Sequence, residues 1–344
     1  MQNRDHWVDY AKGLGILLVV IGHVSRGAFH GGVPMDADVF KLVDSVIYSF
    51  HMPLFFFLSG IFFIPSLNKY GRRRLILDKL DTVFYPYVIW SLIQGVIEVF
   101  LSRYTTAKTS MVDVLSLLWQ PRAQFWFLYV LLLIFIVMAL CYRERRGIVS
   151  WILPVALVGA WALRFHVAMP FPIDFLATYL IYFYIGTTTP RWLSRIQQHA
   201  GLASILSALI FSTLAWVYHI KLGHVFSDPS LLALPLAVSG IGLVCSLSVM
   251  LSKRAHQTTT WIKRIGIYSM PIYLMHILAG SGVRIVLSKF MHIDDATVHI
   301  VLGTVIGIAL PLVVVRMTTT PPTNKLRYLF QPPGWLSFKA RSGN

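Results

Sequence analysis

Acidic side chains are scarce in this chain, with 14 Asp and Glu against 30 Lys and Arg and a formal charge of +16. A basic excess of that size usually marks a protein that meets polyanions. Charge of either sign is scarce too, because Asp, Glu, Lys and Arg together make up 13% of the residues. A soluble nucleic-acid-binding domain needs a charged coat over its whole surface, and this composition cannot supply one. Cysteine is nearly absent, and Cys141 and Cys245 both sit in apolar runs. That excludes a disulfide scaffold. Long polar stretches are missing, which excludes an extended disordered chain. The sequence has no HExxH, CxxC, close carboxylate–His cluster, Walker loop or GxSxG elbow. Neither a metal centre nor an ATP-driven pump is therefore expected.

Apolar residues, by contrast, make up 56% of the chain, with 22 Phe, 15 Tyr and 10 Trp. This is the composition of a multi-span membrane protein. A helix needs about 20 mostly apolar residues to cross a hydrocarbon core about 30 Å thick. Windows that meet this run over 8–26, 38–64, 80–101, 123–141, 148–165, 172–189, 201–220, 229–251, 265–288 and 297–315. The expected fold is therefore all-α, an integral membrane bundle of about ten transmembrane helices. The first window is short and basic at its start, as a signal peptide would be. No small-x-small cleavage site follows, so it is expected to be a retained span.

Lys and Arg set the orientation. With the N-terminus inside, the inner loops hold Arg4, Lys12, Lys69, Arg72, Arg73, Arg74, Lys79, Arg143, Arg145, Arg146, Arg191, Arg195, Lys253, Arg254, Lys263, Arg264 and the basic tail. The outer half holds fewer, among them Arg26, Lys41, Arg103, Lys108 and Arg122. An even number of spans returns the C-terminus to the cytoplasm. The expected organisation is a membrane domain over 1–317 and a cytoplasmic basic and aromatic tail over 318–344. The tail carries Pro321-Pro322, Lys325, Arg327, Tyr328, Phe330 and Trp335. It reads either as an interfacial anchor or as a loose segment on anionic lipid.

Polar groups at membrane depth are costly and default to functional candidates. Lys12 and His23 stand eleven positions apart. Eleven steps of about 100° return to nearly one azimuth, with about 16 Å of rise between them. In the second span His51 precedes Met52-Pro53, with Asp44 seven residues earlier. His51 is either functional, with Asp44 acting through water, or it satisfies a carbonyl freed by Pro53. Ser269, Tyr273 and His276 fall at i, i+4 and i+7 of the ninth span, a polar stripe that must face protein or a wet cavity. The run Arg72-Arg73-Arg74 is ordinary topology signal and also suits phosphate oxygens, which match the arginine fork.

Four segments together resemble the acyltransferase-3 family of membrane O-acyltransferases, in its fucose-4-O-acetylase-like branch. They are Asp9-Tyr10-Ala11-Lys12-Gly13 through Gly22-His23, Ser49 to Gly60, Phe125-Trp126-Phe127-Leu128, and Ser269 to His276. The resemblance implies transfer of an acyl group, commonly acetyl, from cytosolic acyl-CoA. The acceptor it implies is a hydroxyl of a surface glycan or lipid-linked sugar at the outer face of the inner membrane. The family usually has Arg where Lys12 stands; Lys keeps the charge and loses the fork. On this reading Lys12 and Arg72–Arg74 hold the phosphates of acetyl-CoA or another acyl-CoA. His23 is then the general base, since free histidine is mostly neutral at pH 7, with a covalent acyl-histidine intermediate as the alternative chemistry. His51, Tyr273 and His276 orient it or bind the thioester oxygen. A transporter or lipid-linked glycan flippase with a buried proton path, or a scaffold without chemistry, would be the other readings. The polyanion behind the +16 is then a cofactor, and no nucleic acid is required.

Overall fold

A computed structural model describes residues 6–101, 109–143, 151–253, 260–318, 320 and 323–341. Arg4, Arg103, Lys108, Arg145, Arg146, Arg254 and Pro321-Pro322 lie outside the described residues. In chain order the helices are α1 (His6–His30), α2 (Ala37–Tyr48), α3 (His51–Ile61), α4 (Phe63–Lys79), α5 (Tyr85–Phe100), α6 (Met111–Leu115), α7 (Trp126–Cys141) and α8 (Ile152–Leu163). They continue with α9 (Ile173–Thr188), α10 (Leu193–Gln198), α11 (Ala200–Ala215), α12 (Ala233–Lys253), α13 (Thr260–Ile267), α14 (Ser269–Ile285), α15 (Ala296–Met317) and α16 (Phe338–Arg341). Regular structure among the described residues is all helical.

Among the described residues, eight segments are long and apolar enough to cross a membrane. They are His6–His30, Ala37–Ile61, Phe63–Phe100, Met111–Cys141, Ala200–Lys221, Ala233–Lys253, Ser269–Phe290 and Ala296–Met317. The chain is a multi-pass integral membrane protein. The windows at 148–165 and 172–189 behave differently, forming helices of 12 and 16 residues. At 1.5 Å per residue these rise about 18 and 24 Å, short of a core of about 30 Å. Pro172 and Pro190 bracket α9 and limit its length.

The chain divides into two compact units. The first comprises Met1–Ile61 and Ile185–Leu312. Here α1 is the central rod, packed against α12, α13 and α14. Its buried residues, from Trp7 and Tyr10 through Ile16, Val19 and Val20 to Ala28, lie around most of its circumference, as a core helix requires. Glycine sets how closely α13 approaches. A Cβ on Gly266 would fall 1.7 Å from the Asp9 carbonyl oxygen, and one on Gly13 would fall 2.1 Å from that of Ile262. These are small-residue helix contacts of the kind membrane interiors use.

The second unit comprises Phe62–Tyr184 and Val313–Asn344. Within it α4 and α7 pack together, with Phe63, Phe135 and Phe183 in edge-to-face and tilted contacts. Gly71, at φ 73°, breaks α4 just before the arginine run. A buried polar network closes the far part of the unit. Gln94 and Gln124 exchange amide hydrogen bonds, Gln94 donates to Glu98, and Glu98 pairs with Arg122 at 2.9 Å.

The tail is held tightly within this second unit, unlike a loose segment on lipid. Tyr85 Oη donates to the Tyr328 carbonyl and Trp90 Nε1 to that of Leu329, at 2.7 and 2.8 Å. Phe330 packs on Trp90. The buried carboxylate of Asp81 accepts from Ser337 Oγ at 2.6 Å and from the amides of Phe338 and Lys339 at 2.9 and 3.1 Å. A buried carboxylate must find donors, and the start of α16 supplies them. Lys339 adds an ion pair to Asp78 at 3.0 Å. Asp81→Ala is expected to release this latch at a cost of about 2 kcal/mol. Amide exchange over 323–341 should then accelerate about 30-fold in hydrogen-exchange mass spectrometry. Unchanged protection would mean that the aromatic contacts alone hold the tail.

Candidate functional site

The candidate site lies inside the first unit, where α1, α2, α3 and α14 bring their polar side chains together. Each element contributes for a local reason. On α1, His23 is followed by Arg26 one turn on. Gly22 lets the neighbouring ring come close, since a Cβ there would lie 3.0 Å from Cε2 of Tyr48. On α2, Asp44 and Tyr48 are four residues apart and share a face. The chain breaks at Ser49–Phe50 and restarts as α3 with His51, and Pro53 sits in the first turn, where its missing N–H costs nothing. On α14, Tyr273 and His276 keep the stripe that their spacing predicts.

These side chains form one continuous cluster. The His23 ring lies 5.1 Å from that of His276 and 5.9 Å from that of Tyr48, centroid to centroid. Tyr48 meets His51 edge-on at 4.4 Å, and Tyr273 lies 6.0 Å from His276. All four residues that the sequence singles out for chemistry are therefore here, with His51 reaching His23 through Tyr48. Lys12 is half-buried on the same unbroken α1, below His23 by the rise that the helix dictates.

The three imidazoles differ in their hydrogen bonds. His51 and His276 are fully buried. His51 Nδ1 donates to the Ile47 carbonyl at 2.8 Å, and His276 Nδ1 to that of Tyr273 at 2.8 Å. A carbonyl only accepts, so each Nδ1 carries a hydrogen and, in the neutral ring, each Nε2 carries a lone pair. Both Nε2 atoms are buried with no hydrogen-bond partner among the described residues. The carbonyl that His51 satisfies belongs to Ile47, ahead of the α2–α3 break. It is not that of Ser49, which Pro53 would free. His23 is half-buried, and its ring makes no hydrogen bond to any described residue. It is the one accessible imidazole of the three.

Three members of the cluster were not singled out for chemistry by the sequence reading. Arg26 grips Asp44 with a two-pronged fork, Nε to Oδ1 at 2.6 Å and Nη2 to Oδ2 at 2.8 Å. Asp44 is thus engaged by Arg26 instead of reaching His51 through water. The same guanidinium lies over the Tyr48 ring, 3.2 Å from its centroid, and 5.1 Å from the Phe226 ring. Phe226 is held there by its amide, which donates to Ser45 Oγ at 2.6 Å. Helical spacing could have raised Arg26, three residues after His23, and Tyr48, three before His51. Nothing local pointed to Phe226.

The expected phosphate-binding arginines belong to the second unit. Arg72 is engaged within it: its Nη1 and Nη2 donate to the carbonyls of Leu140 and Tyr142, at 2.8 and 3.0 Å. There it caps the C-terminal end of α7. Arg73 is exposed, and Arg74 is exposed with its guanidinium 5.9 Å from the Tyr70 ring. No group of three or more His, Cys, Asp or Glu that could hold a metal ion occurs among the described residues.

Fold and site together define a multi-pass, all-helical membrane protein with a histidine-lined polar site among its spans. Residues 5–316 match the acyltransferase-3 family, described as an acyltransferase domain, and the chain belongs to that family. It is similar to nodulation protein NolL of Mesorhizobium japonicum, 33% identical over 129 residues, which are 36% of this chain and 34% of that protein. Nodulation protein NolL of Sinorhizobium fredii is 27% identical over 154 residues, 44% of this chain and 40% of that one. The alignments thus span well under half the length of these relatives. No solved structure matches the chain.

Proposed function

We propose that this protein is an O-acyltransferase of the inner membrane that moves an acyl group from cytosolic acyl-CoA, in the simplest case acetyl-CoA, to a sugar hydroxyl at the outer face. The acceptor class is a surface glycan or a lipid-linked sugar. The proposed topology keeps ten spans with both termini cytoplasmic, the short α8 and α9 counting as the fifth and sixth. The tail beyond residue 317 then lies on the cytoplasmic side.

The observation that carries the reading is the state of His23. Its imidazole is half-buried and makes no hydrogen bond to any described residue, beside two fully buried imidazoles whose Nδ1 atoms are already engaged. In the proposed reaction His23 takes the proton of the acceptor hydroxyl as the oxygen attacks the thioester carbonyl. The C–S bond then breaks, and CoA leaves as a thiol with that proton. His51 and His276 present acceptor nitrogens, which suits them to hold the acceptor hydroxyls in place. Lys12 supplies positive charge on the face of α1 that leads to His23. Family membership favours this reading over a transporter or a scaffold.

Mass spectrometry of surface glycans tests it. A deletion strain should lose one acyl mass from one glycan, and the wild-type gene should restore it. An unchanged glycan profile in the deletion strain would sink the reading. Single-turnover rapid quench separates direct transfer from an acyl-histidine intermediate, because only the latter labels the protein in the absence of acceptor.

A further inference from the structure

We infer that Tyr48 is a catalytic residue. Its hydroxyl donates the hydrogen bond that holds the thioester oxygen as negative charge develops there, and Arg26, fixed by Asp44, positions its ring. The inference rests on the acyl-transfer reading above.

Acyl transfer from a thioester passes through a tetrahedral state whose oxygen needs a hydrogen-bond donor. The two buried histidines cannot supply one in their neutral form, because their Nδ1 hydrogens are held by the carbonyls of Ile47 and Tyr273 and their Nε2 atoms are acceptors. His23, acting as base, is an acceptor as well. The Tyr48 hydroxyl is a donor, and it is buried beside the Arg26 guanidinium, with no acceptor for its hydrogen among the described residues. A buried hydroxyl needs an acceptor for its hydrogen, and a substrate oxygen brought into the site would supply one. Its ring touches both His23 and His51, which puts the phenol beside the proposed base.

The surroundings of Tyr48 set its direction. The guanidinium of Arg26 covers one face of the ring, and Phe226 packs at 5.3 Å. The Asp44 fork takes two of the N–H groups of Arg26 and largely neutralises its charge, so its action on the reaction is through the placement of Tyr48. Arg26 is a positioning residue.

The test uses full-length protein in lipid nanodiscs, radiolabelled acetyl-CoA as donor and the glycan fraction of the producing cells as acceptor. Tyr48→Phe is expected to lower kcat by a factor of about 10²–10³ while the KM for acetyl-CoA stays within about threefold. The substitution keeps the ring and its packing and removes a hydroxyl whose hydrogen no described residue accepts, so the fold should persist, and monodispersity with unchanged acetyl-CoA binding checks that. Arg26→Lys should cost about tenfold alone and nothing further in the Tyr48→Phe background, because its effect passes through that hydroxyl. A ring-fluorinated tyrosine at position 48 gives an independent reading, since it keeps the hydroxyl and alters its strength as a donor. Rates for that protein equal to wild type overturn the inference. Wild-type turnover with Tyr48→Phe within threefold of it also overturns the role of Tyr48 and leaves the acyltransferase reading standing. Severe loss in Arg26→Lys beside an active Tyr48→Phe overturns it too, and makes Arg26 the donor. Wild-type protein that transfers no label overturns both readings together.

Discussion

Replacing His23 by alanine is expected to lower glycan acylation by a factor of about 10²–10⁴ and to leave the protein folded. The rate effect follows from the role of the ring as the accessible base of the cluster. The intact fold follows from its bonding: the His23 ring makes no hydrogen bond to a described residue, so its removal strands no buried partner. The same is not true of its neighbours. Loss of the His51 ring would remove a buried hydrogen bond to the Ile47 carbonyl, and loss of the His276 ring would remove one to that of Tyr273. Each lost bond costs about 0.5–1.5 kcal/mol, so those variants mix stability with rate. His23→Ala is the clean measurement. It is made by glycan mass spectrometry at matched expression, with thermal unfolding in detergent as the control. Normal acylation in that variant would remove His23 from the mechanism.

The second large effect is structural. Gly266→Ala is expected to prevent close packing of α13 on α1 and to destabilise the protein by about 3 kcal/mol or more. The added carbon would lie 1.7 Å from the Asp9 carbonyl oxygen and 2.8 Å from the Gly13 amide nitrogen. Both are backbone atoms of a helix buried in the middle of the unit, so no flexible side chain can yield. The helices must separate, and contacts along the whole interface weaken together. A much lower unfolding temperature or loss of monodisperse protein is the expected readout. Wild-type stability would mean that the two helices do not approach this closely.

Most of the membrane architecture can be read locally. Eight of the hydropathy windows coincide with long helices because a run of about 20 apolar residues is its own signal. The same signal does not report where a helix stops: α8 and α9 have 12 and 16 described residues, and prolines bracket α9. Part of the site was legible for a related reason. Lys12 with His23, and Tyr273 with His276, share a face by the geometry of a single helix. Arg26 and Asp44 are 18 positions apart on separate helices, and no periodicity pairs them. The tail latch joins Asp81 to Ser337 across 256 positions. Arg72 read as a phosphate ligand until the end of α7 proved to be its partner.

By itself, then, the sequence determined that this chain lives in a membrane, where its helices run, and which polar residues share a face along each one. Those follow from composition and from a 3.6-residue repeat, both of which act over short range. Only the tertiary structure decided which of those faces meet. It set one half-buried histidine beside two fully buried, hydrogen-bonded ones from other helices, and it brought Arg26, Tyr48 and Phe226 beside them. The reason is physical: hydrogen-bond commitments and ring contacts depend on how closely helices approach, and here glycines and buried side chains far apart in the chain set that distance.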